Sequence, residues 1–561
     1  MNSPNKLTGI FLSNFNLQNF VNYIDNDTEF PLIKTTLAPY GQVMNILLGD
    51  NMAEKYDFGF IWLMPQAVIG SFNKLINGHL TQFTSIMTEV DDFCNAVIKY
   101  SEAFKYLFIV SWSMPSYYRG IGLRDLKNEF GISNCLMRMN LRLADNFDAR
   151  KNIYLLDSQK WIGNAGEDAF NPKLWYLSKT PFNNVVFKQA LKELKSAIKT
   201  ISGDSKKMII LDLDDTLWGG IVGETGWENL KLGGHDFTGE AFVEFQTELK
   251  ALKEKGILLA IVSKNEEAIA LEAIMKHPEM ILKKDDFIDW EINWDDKSKN
   301  ILNLLKRVNI GPQSVVFIDD NPVERDRIRQ SIPEVYVPEW PANKLEYTRA
   351  LHKLNCFDID GISNEDLERT KLYLAENERN NLKSELNSVD DWLESLKTVV
   401  IIETLNNQNL QRTAQLMNKT NQMNLITRRL TETELLSWAN KNNHNLWTFC
   451  VADKFGNSGL TGILSIESEN KTIRIFDFIL SCRVMGRKIE EIMLKHVIQY
   501  SKKNGMDKII AKYLPTPKNK PCFDFWISKS GFTFIEKENS FLWDLSKPVP
   551  EIANIEVINY P

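Results

Sequence analysis

MIILDLDDTLWGG, residues 208–220, says more about fold and chemistry than any other part of this chain. An apolar run typical of a buried strand leads directly into Asp212 and Asp214, which are separated by one residue. Side chains alternate along a strand, so both carboxylates can face one ligand where the strand ends. This spacing suits phosphoryl transfer, since one carboxylate can attack phosphorus and bind a hard cation while the other exchanges a proton. Thr216 and the pair Gly219–Gly220 allow the chain to turn and bring backbone amides close to the phosphate.

Three later segments supply the remaining groups of such a site. GILLAIVSKN, residues 256–265, is a second strand ending near Ser263, whose hydroxyl can hold a phosphate oxygen. NWDDKSKN, residues 293–300, offers Lys297 or Lys299 as a cation for the transferring group, although either lysine alone would be read as a solvated helix residue. SVVFIDDNPVER, residues 314–325, is a third strand ending in Asp319 and Asp320, which can complete an oxygen-ligand site for Mg²⁺.

Composition excludes several other classes of protein. The chain has 561 residues, 66 Lys+Arg and 73 Asp+Glu, and lacks the basic stripe of a nucleic-acid-binding protein. We expect no membrane span, because no apolar run reaches the required length, and no secretory signal. The six cysteines show no CxxC spacing, which favours reduced thiols in a cytoplasmic protein.

The chain is too long for one core and predicts an α/β protein of several domains. Strands and helices alternate over residues 1–200, and a second α/β domain covers 205–345. A charged segment with helical spacing, 346–397, predicts linking helices. Strands and helices alternate again over 398–561, with a hairpin expected in GLTGILSIESENKTIRIFDFIL, residues 459–480.

Within that last part, FDFILSCRVMGRKIEEIMLKHVIQY (476–500) predicts a strand, a basic turn and an amphipathic helix. Such a turn can present amides and positive charge to a pyrophosphate, or it can be purely structural. The segment resembles the acyl-CoA loop of GNAT-type acyltransferases at Arg483, Gly486 and Arg487, but Lys488 replaces a small residue. Cys482 can be either an acyl carrier or a core thiol.

The four acidic and basic motifs, in this order, resemble the haloacid dehalogenase (HAD) superfamily. The resemblance implies that Asp212 is the nucleophile, Asp214 the general acid/base, and Ser263 with Lys297 the phosphate-binding pair. It also implies a magnesium site at Asp319 and Asp320, for which Asp212, the backbone carbonyl of Asp214, and Asp320 are the favoured protein ligands.

Nearly the whole chain resembles the FkbH-like family. The segments that carry this resemblance are APYGQVMNILL (38–48), LDLDDTLWGGIVGETG (211–226), AIVSKNEE (260–267), INWDDKSKNI (292–301), DDNPVERDRI (319–328), RTAQLMNKTNQMNLITRR (412–429), SCRVMGR (481–487) and YLPTPKN (513–519). It implies a HAD-like Rossmannoid core between an SGNH-hydrolase-like, flavodoxin-like parallel domain and a GNAT-like mixed sheet. The implied activity moves a glyceryl unit from 1,3-bisphosphoglycerate to the phosphopantetheine thiol of an acyl carrier protein, with release of phosphate. Mg²⁺ and either coenzyme A or carrier-bound phosphopantetheine are the implied cofactors.

Two departures limit that transfer. Some glyceryl-loading relatives have a cysteine between the two carboxylates, where this chain has Leu213, so no glyceryl thioester can form there. Ser13 stands where an SGNH nucleophile would, but no histidine occurs between His79 and His235 to act as its base. Because Asp157 alone cannot activate a serine, we interpret this domain as a scaffold or docking surface.

A carrier protein is usually acidic, so its docking site should carry cations. Lys419, Asn421, Arg428 and Arg429 lie in a basic, amide-rich segment that is either such a docking site or a solvated helix face with its loop. An alternative function is a HAD phosphatase joined to a GNAT acyltransferase that acts on a sugar or small-molecule acceptor, in surface-polysaccharide or secondary-metabolite biosynthesis.

Overall fold

Short buried strands and amphipathic helices alternate along the chain, as its patterning predicts. The computed structural model describes residues 6–49, 55–128, 130–234, 236–359, 361, 368–386 and 388–559. The chain divides into two compact units, Met1–Lys199 and Thr200–Pro561. The first unit holds one sheet and the second holds two. None of the helices in these described ranges is long and apolar enough to cross a membrane.

The first unit is built on a five-stranded parallel sheet with the order β2-β1-β3-β4-β5, which is the flavodoxin-like order. Its strands are β1 Leu7–Ser13, β2 Ile33–Leu37, β3 Phe58–Trp62, β4 Tyr106–Val110 and β5 Ile153–Leu156. Every residue of β3 is buried, as expected for a strand that helices cover on both faces. The helices are Gln18–Asp25, Val43–Leu48, Gly70–Ile76, Phe83–Ser101, Ile132–Phe147, Ser158–Ala165, Pro172–Ser178 and Asn184–Ile201.

The second unit begins with a four-stranded parallel sheet of order β8-β7-β6-β9. Its strands are β6 Met208–Leu211, β7 Leu258–Ser263, β8 Phe287–Ile292 and β9 Val315–Ile318. The two middle strands, β7 and β6, are buried along their whole length. The helices around this sheet are Val222–Thr225, Phe237–Glu254, Glu267–Lys276, Lys297–Arg307, Pro322–Ser331 and Tyr347–His352.

Two helices, Arg369–Glu385 and Val389–Leu396, lie in the segment for which the sequence predicts linking helices. Residues 360, 362–367 and 387 of that segment lie outside the described residues. The second helix buries Trp392, Leu393 and Leu396 in a small apolar cluster.

The last sheet is mixed and has nine strands, eight of them in the order β16-β17-β15-β14-β13-β12-β10-β18, with β11 paired to β14. The strands are β10 Thr398–Thr404, β11 Met423–Asn424, β12 His444–Asp453, β13 Gly456–Glu469, β14 Thr472–Leu480, β15 Lys508–Lys512, β16 Thr533–Ile535, β17 Ser540–Asp544 and β18 Ile555–Asn559. The helices are Leu410–Lys419, Glu432–Ala439, Ile489–Lys503 and Lys520–Ser528.

The predicted hairpin is confirmed, because β13 and β14 pair antiparallel around a two-residue turn. Both turn residues, Asn470 and Lys471, have positive φ angles of 45° and 59°, which is the geometry that matches strand twist. The chain is therefore an α/β protein of several domains with two parallel sheets and one mixed sheet, as predicted.

Candidate active site

The candidate catalytic residues meet at one edge of the sheet formed by β6 to β9. Asp212 and Asp214 follow β6, Ser263 ends β7, Lys297 follows β8, and Asp319 and Asp320 follow β9. All four strands are parallel, so their carboxyl ends open onto the same edge. Buried apolar residues anchor the loops after β6 and β9, since Leu211, Leu213 and Ile318 have no exposed surface.

Lys297 is the central cation of the site. Its Nζ lies 2.7 Å from Asp319 Oδ2, to which it donates a hydrogen bond, and 2.9 Å from Asp212 Oδ1. Burial alone would lower its pKa, but the charges of Asp212 and Asp319 outweigh that effect and raise it, so the amine stays protonated. Asp296 caps the helix that begins with Lys297 by accepting from the Ser298 backbone N–H.

The other candidate lysine, Lys299, lies outside the site. Its side chain is 65% exposed and pairs with Asp295 one helical turn away, at 3.1 Å. The structure therefore selects Lys297 from the two possibilities that the sequence leaves open.

Three carboxylates converge beside Lys297. Ligand oxygens of Asp212, Asp319 and Asp320 all lie within 4.8 Å of one another. Burial, and then the charge of Asp212, raise the pKa of Asp319 despite the opposing effect of Lys297. Lys297 pairs with two of these carboxylates, and Lys344 Nζ lies 3.3 Å from the third, Asp320, so three negative charges meet two positive charges. An all-oxygen donor set is what Mg²⁺ prefers. These residues therefore fit the implied metal ion.

Asp214 does not belong to this carboxylate set. Its Oδ1 accepts from Trp218 Nε1 at 2.8 Å and from the Val222 backbone N–H at 3.1 Å. Its Oδ2 accepts from Asn265 Nδ2 at 2.9 Å. Burial raises the pKa of Asp214, while these three donors act against the rise. The side chain of Asp214 is therefore placed for proton exchange and lies apart from the carboxylate set. The metal role predicted for Asp214 concerns its backbone carbonyl, and that role stays a prediction.

The phosphate-binding candidates are buried close to these groups. Ser263 is 2% exposed, and its Oγ lies 3.4 Å from Asn265 Nδ2. Thr216 is fully buried, and its Oγ1 accepts from the Asp320 backbone N–H at 3.2 Å. Thr216 thus joins the turn after β6 to the acidic loop after β9.

Several contributing residues are absent from the sequence prediction. Lys344 Nζ donates to the Asp215 carbonyl at 2.7 Å and lies 3.3 Å from Asp320 Oδ2. The Tyr347 hydroxyl donates to the same carbonyl at 3.1 Å. Arg325 donates to the carbonyls of both acidic-loop residues. Arg325 and Asn265 lie within quoted motifs and could have been singled out, whereas no sequence signal marks Lys344 or Tyr347.

The basic turn in the mixed sheet differs from the sequence expectation. Arg487 is 1% exposed, and it pairs with Asp453 at 2.9 Å and with Glu376. The Gly486 backbone N–H donates to Glu490 Oε1 at 2.8 Å. Arg483 Nε lies 3.3 Å from Ser481 Oγ. Arg487 is therefore part of a buried ion-pair network and does not face an open anion site.

The candidate docking segment is also engaged within the protein. Arg428 pairs with Asp477, whose side chain is fully buried. Arg429 donates to the Met417 carbonyl at 2.6 Å and to Asn421. The Lys419 carbonyl accepts from Lys207. The two arginines therefore make structural contacts within the protein, and these contacts account for both residues without a docked carrier protein.

In the first unit, Ser13 and Asp157 make local structural hydrogen bonds. Ser13 Oγ accepts from the Phe15 backbone N–H at 3.1 Å, and Asp157 caps the following helix by accepting from the Gln159 N–H at 3.0 Å. Neither contact activates the serine hydroxyl.

Comparison with solved structures shows a similarity to a chain that contains a phosphatase domain. No family model matches the chain, and no curated protein matches it. The crystal structure of the N-terminal part of the protein BF1531 from Bacteroides fragilis, which contains a phosphatase domain and is complexed with Mg, is 28% identical, with a TM-score of 0.57. The match covers 64% of this chain and 95% of that one.

Solved acetyltransferases also match, over a smaller region. The ribosomal-protein-S18-alanine N-acetyltransferase from Escherichia coli is 10% identical, with a TM-score of 0.20, over 26% of this chain and 90% of its own. A GNAT-family acetyltransferase from Staphylococcus aureus Mu50 is 13% identical, with a TM-score of 0.22, over 26% and 99%. Scores this low support no conclusion about the fold or activity of the mixed sheet.

Proposed function

We propose that this protein is a magnesium-dependent phosphoryl-transfer enzyme of the HAD type in which Asp212 is the nucleophile. The observation that carries the proposal is the placement of Asp212 beside the buried Lys297 amine, within a carboxylate set that fits Mg²⁺. The likeness to a solved chain that contains a phosphatase domain and Mg supports it.

Each protein group then has a definite task. Lys297 pairs with Asp212 and offers positive charge to the transferring phosphoryl group. Asp212, Asp319 and Asp320 would hold Mg²⁺, which would supply further charge neutralisation at the phosphoryl oxygens. Asp214 gives a proton to the leaving oxygen and later takes one from the attacking water, for which its burial-raised pKa is suited.

The finer proposal concerns the substrate. Following the FkbH-like resemblance, the substrate is 1,3-bisphosphoglycerate and the acceptor is the phosphopantetheine thiol of an acyl carrier protein. The thiolate attacks the acyl carbon, the bond from that carbon to the phosphate oxygen breaks, and phosphate leaves. The remaining phosphate monoester is hydrolysed through Asp212, which leaves a glyceryl thioester on the carrier.

Leu213 supports direct transfer in this scheme. It is fully buried between the two carboxylates and has no nucleophilic atom, so no enzyme thioester forms at that position. The acyl group must therefore reach the carrier thiol without an intermediate at residue 213.

Intact mass of the carrier tests this proposal directly. The full-length protein, Mg²⁺, 1,3-bisphosphoglycerate and a holo-carrier encoded nearby should give a carrier with the mass gain of one glyceryl group. Asp212→Asn should abolish hydrolysis of the phosphate monoester, so the carrier should gain at most a phosphoglyceryl group and never the glyceryl group alone, while the thermal unfolding transition stays in place. Mg²⁺-dependent hydrolysis of small phosphate esters without any carrier product would overturn the glyceryl assignment and retain the phosphoryl-transfer centre.

A further inference from the structure

Along one edge, β14 pairs with two different strands, first β15 and then β11. We call the place where these two strands separate the fork. Near the beginning of β14, Thr472–Ile475 pair in parallel with β15. Near its end, Ile479 and Leu480 pair with Asn424 and Met423 of β11, while the opposite edge is covered by β13 throughout. An open strand edge can hold an extended ligand through main-chain hydrogen bonds. Here a segment of the chain itself takes that position.

Contacts from the loop after β15 hold β11 in the fork. The Leu514 backbone N–H donates to the Leu425 carbonyl at 3.0 Å, and Asn519 Nδ2 donates to the Asn424 carbonyl at 2.9 Å. Asn424 and Asn519 have no exposed surface, and the Tyr513 hydroxyl donates to Asn519 Oδ1 at 2.9 Å. Displacing β11 would break these buried hydrogen bonds, at a free-energy cost for each group left unpaired.

The basic turn at the end of β14 is closed in a similar way. A phosphate at such a turn is held by free backbone N–H groups at the start of the following helix. The Gly486 N–H already donates to Glu490 Oε1 at 2.8 Å, and Glu490 is 4% exposed. Glu490 and Glu491 occupy the first helical turn, and Arg487 is committed to Asp453. The Gly486 N–H is therefore already bonded, and carboxylates occupy the first helical turn, where a pyrophosphate would need donors.

We propose that the mixed sheet does not bind a coenzyme A thioester, because β11 and Glu490 fill the places of the pantetheine arm and the pyrophosphate. Coenzyme A is implied by the GNAT resemblance, and these residues do not fit it. The amides of the pantetheine arm would need hydrogen bonds with the main chain of β14, but β14 already makes these bonds with β11. The pyrophosphate would need the Gly486 backbone N–H, but this group already donates to Glu490.

The same segments instead fasten the mixed sheet to the catalytic sheet of this unit. Lys207 Nζ, next to β6, donates to the Lys419 carbonyl at 3.1 Å. Asn309 Nδ2 donates to the Cys482 carbonyl at 3.0 Å, and Lys518 pairs with Asp204 at 3.0 Å. Three of the segments that resemble the FkbH-like family, around residues 412–429, 481–487 and 513–519, thus serve as an internal interface.

Calorimetry and hydrogen exchange with coenzyme A test this inference on the full chain. Titration of acetyl-CoA or coenzyme A should give no binding heat, and neither should change amide exchange in residues 420–429 or 482–490. Slow exchange of the amides of β11 is expected with and without coenzyme. Saturable acetyl-CoA binding, or added protection of these segments by coenzyme A, would overturn the proposal.

A variant pair separates the contribution of the turn from that of the strand. Glu490→Gln keeps an oxygen that can accept the Gly486 N–H, and it should also fail to bind acetyl-CoA because β11 still fills the fork. Glu491→Gln, in the same helical turn, is the matched control. Binding gained by Glu490→Gln alone would contradict the role given to β11. None of these readouts depends on phosphatase turnover, so their outcome is independent of the proposed function.

Discussion

Lys297 Nζ lies 2.9 Å from Asp212 Oδ1, and both groups are almost completely removed from water. A buried lysine beside several carboxylates is expensive to remove, because each carboxylate left behind is unpaired. The pair therefore links catalysis to stability in a way that can be measured.

Replacing Lys297 should affect both properties. Lys297→Met should abolish turnover of small phosphate esters and, in EDTA, lower the free energy of unfolding by about 3–5 kcal/mol. Urea denaturation and a phosphate-release assay measure the two effects. Lys299→Met, at an exposed position in the same helix, should leave both values close to those of the unmodified protein. A stable and active Lys297→Met protein would remove Lys297 from the site.

Magnesium should stabilise the folded protein, because it neutralises three converging carboxylates that the unfolded chain does not hold together. At a concentration about one hundred times the dissociation constant, the gain is about 2.7 kcal/mol. Asp320→Asn should lose most of the Mg²⁺-dependent rise in Tm, whereas Asp295→Asn, which changes an exposed carboxylate, should retain it. An equal rise in both variants would place the ion elsewhere.

Asn265 should act as a positioning residue for Asp214, since its amide nitrogen donates to Asp214 Oδ2. Asn265→Ala should reduce kcat, with a loss bounded by the factor of about 10²–10⁴ that a general acid/base contributes. Substrate binding should change less, so steady-state kinetics on a phosphate ester should show the split between kcat and KM. Asn293→Ala, which removes an amide from the neighbouring loop, is the comparison; equal losses in both variants would indicate a general disturbance of the site.

The location of the candidate active site could be predicted from the sequence, because parallel strands bring their carboxyl ends together at one edge of the sheet. Asp212, Ser263 and Asp319 each sit at the end of an apolar run, and Lys297 begins the helix that follows β8, so strand order predicts their meeting. Lys344 and Tyr347 reach the Asp215 carbonyl from more than 120 residues away, at separations of 129 and 132. No local pattern marks such contacts, because they depend on how a later helix packs.

The same limitation explains the outcome at the basic segment. The residues around Arg428 are basic and rich in amides, as expected for a docking surface. The partner of Arg428, however, is Asp477, which lies 49 residues further along the chain. Sequence patterning shows the positive charges and does not show which of them are already paired.

Arg428 should therefore behave as a structural residue. Arg428→Glu places a second carboxylate against the fully buried Asp477 and should destabilise the protein by about 3–5 kcal/mol or more. Arg474→Glu, on the same strand as Asp477 but at a position 56% exposed, should have little effect on the Tm. A folded Arg428→Glu protein of unchanged stability, with impaired carrier loading only, would restore the docking interpretation.

Glu490 should give the protein a pH-dependent stability. Burial raises the pKa of Glu490 to about 7, above the ordinary value of 4.5 for a glutamate side chain. A carboxyl group whose pKa is higher in the folded state contributes stability that is fully present below pH 4.5 and is lost as the pH rises through 7. The size of this contribution is about 3 kcal/mol.

Glu490→Gln should therefore flatten the fall in the free energy of unfolding between about pH 5 and pH 8, whatever its effect at a single pH. Urea denaturation across that range, with Glu491→Gln as the matched control, measures the slope. Parallel pH profiles for the unmodified protein and Glu490→Gln would show that Glu490 does not titrate as a buried group.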